Sequence, residues 1–225
     1  MTFFEISLIL MIPVMIFSGY AQRRISRTYA QYSSIPIKSK LTGEETAQAL
    51  LRLNGIDDVS ITMVSGKMTD HYDPRNRTLG LSQAVYAGST IASVGIAAHE
   101  IGHALQHHNQ NVMLRFRNQF APVAQWGSNL SIPLIFLGFF MGWLGLAQLG
   151  VFLFATMVLF QLVTVPVEKD ASRKALLMLS QGGILDDTEL TGAKRVLDAA
   201  ALTYIASLMV AIAHLLRLMV LVRDE

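Results

Sequence analysis

Hydrophobic residues along this chain are gathered into blocks. Residues 6–21, 131–167 and 199–222 carry almost no charge, whereas residues 23–130 and 168–198 have ordinary polar content. Residues 3–21 are long enough to cross a bilayer once. Glu5 precedes this run and Arg23, Arg24 and Arg27 follow it, which lacks the basic start of a cleaved leader, so a retained anchor is expected. The second block has 37 residues. As one helix it would be about 55 Å long against roughly 30 Å of hydrocarbon. Two spans are therefore expected, with a turn near residues 142–150, where Gly142, Gly145, Gln148 and Gly150 gather. The third block forms a last span that carries His214 and Arg217, which makes about four spans in all.

The large polar region alternates in character. Residues 41–54 (LTGEETAQALLRLN) predict a helix with Thr42 as its cap, Glu45 at the capping-box position and Gly55 as its stop. Residues 59–64 alternate like a strand, residues 73–76 make a turn, and residues 77–82 predict a second strand. Residues 89–108 then have a capping signal and helical spacing rich in small residues. The organisation is an anchor (1–22), a polar domain of mixed helix and strand (23–130), a transmembrane hairpin (131–167), a helical segment (168–198) and a last span (199–225).

Composition agrees with the pattern. With 52% hydrophobic and 15% charged residues, against roughly 45–50% and 25% in soluble domains, the chain is not wholly water-soluble. The net charge of +2 is not concentrated on a soluble face, so no nucleic-acid partner is expected. Of 18 Lys and Arg residues, 11 lie in 23–117 and 5 in 169–195. With four spans, that bias puts both polar regions on the cytoplasmic side. There are no cysteines, so thiolate zinc sites and cysteine nucleophiles are excluded, and any metal must be held by His, Asp or Glu.

The predicted helix 89–108 contains His99-Glu100-Ile101-Gly102-His103, an HExxH motif. Two histidines four residues apart share one helical face and can converge on one ion, while Glu100 stands beside them to act on a water there. Ordinary surface histidines on an amphipathic helix are the plainer reading, but Ala97, Ala98 and Gly102 point to a close-packed helix in which unpartnered histidines would be costly. A catalytic zinc needs a third protein ligand. The spacing HExxHxxGxxH would require Gly and His where the chain has Gln106 and Asn109, and His107 follows on the same helix at a poor angle. A downstream carboxylate remains: Glu168, Asp170, Asp186, Asp187, Glu189 or Asp198. Glu168 is preferred because it opens the polar stretch EKDASRKALLML at the exit of the third span.

The segments DHYDPRNRTLGLS (70–82), AAHEIGHALQH and PVEKDASRKAL (166–176), set between an anchor and a last span, resemble the membrane-embedded neutral zinc metallopeptidases of the YugP-like family. More distantly the chain looks like the HtpX and CAAX prenyl protease group of gluzincins. The resemblance implies an α+β, mainly helical integral membrane protein with a zincin-like catalytic domain, in a bacterial plasma membrane. It implies one catalytic zinc held by His99, His103 and Glu168, with Glu100 as base. The HtpX group commonly has an Asp four residues after that glutamate, to orient a histidine; here the position is Ser172, and Asp170 is turned away by a step of two.

The expected activity is metal-dependent hydrolysis of peptide bonds in membrane or membrane-proximal proteins. His71, Tyr86, His107 and Arg173 are candidates to face the developing oxyanion, and strand 77–82 is the expected edge for an extended substrate. Two other classes stay open: a zinc-binding membrane adaptor without turnover, and a transporter built on Gln148, Gln161, His214 and Arg217.

Overall fold

The computed structural model describes residues 3–223. It is mainly helical: α1 (Phe3–Tyr32), α2 (Gly43–Leu53), α3 (Gln83–Tyr86), α4 (Ile91–His108), α5 (Val112–Phe140), α6 (Leu144–Gln181) and α7 (Asp187–Arg223), with strands β1 (Ser60–Val64), β2 (His71–Asp73) and β3 (Thr78–Ser82). Among the described residues three helices, α5, α6 and α7, are long and apolar enough to cross a membrane, rather than the four spans expected. The remaining expected span falls on α1, where residues 1 and 2 and several side chains up to residue 10 lie outside the described residues.

Contacts divide the chain into two compact units. One comprises Met1–Gln22, Val112–Pro166 and Leu202–Glu225, and the other Arg23–Asn111 and Val167–Ala201. In the first, the apolar block of residues 131–167 does form two helices, but both run well past it. The turn between them is shorter than expected: residues 141–143, where Gly142 takes φ +63°, a left-handed conformation that favours glycine. Gly150 instead belongs to a helix contact, since a Cβ there would come within 2.7 Å of the Ser131 carbonyl oxygen.

In the second unit α2 starts with a complete capping box. The Thr42 side chain accepts from the Glu45 N–H at 3.1 Å, and Glu45 accepts from the Thr42 N–H at 2.8 Å. Asp186 and Glu189 repeat the arrangement at the start of α7. Apolar faces of α2, α4, α6 and α7 bury Leu50, Leu79, Leu81, Val94, Ile101, Leu179 and Val196 in one core.

Two expectations are corrected in this unit. Strand order is β1-β3-β2, with β1 and β3 parallel and β2 and β3 antiparallel. The predicted strand at 77–82 is therefore the buried centre of the sheet, and the open edges are β1 and β2. Glu168 does not open a helix either. It lies inside α6, which continues through Pro166, so the loss of one N–H donor there does not end the helix.

Candidate metal centre

The HExxH residues lie on α4, which begins where the Thr90 side chain accepts the Ser93 N–H at 3.2 Å. Midway along α4, a Cβ on Gly102 would meet the Ala171 carbonyl oxygen at 2.5 Å. Only glycine permits so close an approach of α6. That approach brings Glu168 and Ser172, on either side of Ala171, to the face of α4 that carries His99 and His103.

Glu168 Oε2 lies 3.2 Å from His99 Nε2 and 3.5 Å from His103 Nε2. One ligand atom from each of the three residues can be chosen so that all lie within 4.8 Å of one another. Atoms bound to one tetrahedral zinc at about 2.0–2.1 Å stand about 3.3 Å apart, so the spacing fits such an ion. The His99, His103 and Glu168 side chains are 14%, 9% and 6% exposed, which leaves little water to compete.

The far side of each ring is held as well. Ser172 Oγ lies 3.1 Å from His99 Nδ1, and Gln106 Oε1 lies 3.0 Å from His103 Nδ1. Gln106 is fully buried, and its Nε2 donates to the Val167 carbonyl and to Asp170 Oδ2, both at 2.9 Å. Those two acceptors fix which way the amide points. Its oxygen then accepts from His103 Nδ1–H, leaving Nε2 as a lone-pair donor to a metal. Asp170 also accepts from Arg173 at 2.7 Å and Lys174 at 2.6 Å. Its step of two along α6 turns it from Glu168, yet it reaches His103 through Gln106.

Charge at the centre follows from burial. Burial, only partly offset by His99, pushes the Glu100 carboxyl up to about 7, and the charges of Glu168 and Asp70 add to the rise. Burial alone would raise the Glu168 carboxyl too, but the His103 and His99 rings set against it hold it well below the usual carboxylate range. Glu168 is the first residue beyond the apolar block.

The other candidates fall in different places. His71 lies on β2, its Nδ1 donating to the Thr69 carbonyl at 2.8 Å. His107 Nδ1 is 2.8 Å from the Tyr72 hydroxyl, and burial, with Arg77 nearby, pushes His107 down. Tyr86 on α3 faces Glu44 of α2, whose carboxylate pushes the phenol up. Arg173 is 70% exposed and tied to Asp170. Gly102 has the close-packing part expected of it, whereas two contributors went unassigned in the sequence: Gln106 and Tyr72. A polar residue three positions after His103 on the same face was the available signal for Gln106.

Two imidazoles and one carboxylate, converging from a motif helix and a second helix, form a candidate metal centre of the kind metallopeptidases use, in a chain with membrane-length helices. A family model described as "Putative neutral zinc metallopeptidase" matches residues 7–223, and the chain belongs to that family of zinc peptidases. The "Putative membrane protease YugP" of Bacillus subtilis (strain 168) is 41% identical over 212 residues, which cover 92% of this chain and 94% of that protein. No solved structure matches the chain.

Proposed function

We propose that the chain is a membrane-embedded zinc endopeptidase of the gluzincin type, with His99, His103 and Glu168 as metal ligands and Glu100 as general base. The observation that carries this reading is the convergence of two ring nitrogens and one carboxylate beside a buried Glu100. A bound zinc would supply Lewis-acid polarisation of the scissile carbonyl and acidify the attacking water. Glu100 takes a proton from that water and returns it to the leaving amine nitrogen, and its buried place beside the two ligand histidines on α4 suits both steps. Ser172 and Gln106 hold the ligand rings in place. Of the oxyanion candidates, His107 is engaged with Tyr72 and Arg173 with Asp170, which leaves His71 and Tyr86. An extended peptide would add to the open edge of β2, the strand that Tyr72 ties to α4.

The substrates proposed are membrane or membrane-proximal proteins, cleaved on the cytoplasmic side, as the distribution of Lys and Arg suggests. Purified full-length protein should cleave an unstructured, membrane-tethered substrate with zinc, stop after chelation and recover when zinc is restored. Glu100→Gln should lower the rate by roughly a hundredfold or more. Stoichiometric zinc without any cleavage by the wild type would instead favour the adaptor reading.

A further inference from the structure

Within the second unit, α6 and α7 leave a groove of about 470 Å³ between them, away from the ligand atoms but lined in part by Ser172, whose hydroxyl holds His99. Three cations line it: Lys169 and Arg173 from α6, four residues apart on one face, and Lys194 from α7. Asp198 is the only carboxylate in the lining, and Lys194 pairs with it at 2.5 Å. Lys169 makes no ion pair among the described residues, and Arg173 gives Asp170 only one of its guanidinium nitrogens. The groove therefore carries an excess of positive charge.

Its height points to what neutralises that charge. Both helices continue directly into apolar blocks that end at residue 167 on α6 and begin at residue 199 on α7. Counted along the helices, Lys169 is about 3 Å from the end of its block, Lys194 about 7 Å and Arg173 about 9 Å. The headgroup layer on one side of a bilayer is roughly 5–8 Å deep, so all three ammonium or guanidinium groups reach it.

We propose that this groove seats the headgroup of an anionic phospholipid, its phosphate held by Lys169, Arg173 and Lys194. The inference rests on α6 and α7 crossing the membrane and not on the proposed catalysis. Because Ser172 lines the groove, an occupied headgroup site adjoins the hydroxyl that orients His99, which gives bound lipid a route to the metal centre.

The test is native mass spectrometry of the full-length protein extracted from liposomes of equal phosphatidylglycerol and phosphatidylcholine. Phosphatidylglycerol should be retained preferentially. Lys169→Gln with Lys194→Gln should cut that retention roughly tenfold or more, whereas Lys169→Arg with Lys194→Arg should keep it. Equal retention of the two lipids by the wild type, unchanged retention in the glutamine pair, or displacement by millimolar glycerol phosphate would overturn the proposal. Repeating the measurement with Glu100→Gln separates the two claims: lipid retention should survive there even though cleavage is lost.

Discussion

Gln106 touches no ligand site on the metal side, yet it decides which nitrogen His103 offers. Replacing it with leucine removes the acceptor for Nδ1–H and the amide donor to the Val167 carbonyl, while Asp170 keeps Arg173 and Lys174. Zinc affinity should fall about tenfold to a hundredfold, measured by competition with a chromogenic chelator, with Ser172→Ala producing a smaller loss at the more exposed His99. An unchanged affinity in Gln106→Leu would remove it from the centre. At this scale the sequence was readable where chemistry depends on spacing along one helix: HExxH places His99, Glu100 and His103 by itself. Gln106 was not readable in the same way, because its role needs the Val167 carbonyl and Asp170, 61 and 64 residues further along the chain.

Helix approach sets the next level. Gly102→Val should destabilise the fold by about 1–3 kcal/mol, because the added side chain meets backbone atoms of α6 that cannot turn aside. The same change should weaken zinc binding by moving Glu168 from the histidines, so unfolding should be followed with and without chelator. Thr42→Ala, which breaks the α2 capping box, should cost about 1 kcal/mol and leave zinc binding intact. The contrast between the two variants separates general loss of stability from loss of the centre. The cap was legible from Thr42 and Glu45 because capping is local. Two other features were not. Residues 78–82 have the composition of a strand, but whether it is central or at an edge depends on partners that flank it. The polar EKD sequence after Pro166 reads as a helix start, whereas buried Val167, Glu168 and Ala171 keep α6 continuous.

For the whole molecule, the apolar blocks announced a membrane protein, and three of the described helices have the length and composition to cross one. Their boundaries were less legible, since α5, α6 and α7 extend beyond the uncharged runs into helices with polar faces. Metal binding should be linked to the stability of the entire fold, because a ligand held only by the folded state stabilises it in proportion to the logarithm of its concentration over Kd. Chelation should lower the thermal unfolding midpoint, added zinc should restore it, and Glu168→Ala should show no zinc-dependent shift. The most direct test is the zinc content of purified full-length protein beside Glu100→Gln and Glu168→Ala, each assayed for cleavage of the tethered substrate. The proposed centre predicts about one zinc per chain in the wild type and in Glu100→Gln, cleavage in the wild type alone, and little zinc in Glu168→Ala. Full zinc retention in Glu168→Ala, or undiminished cleavage by Glu100→Gln, would contradict it.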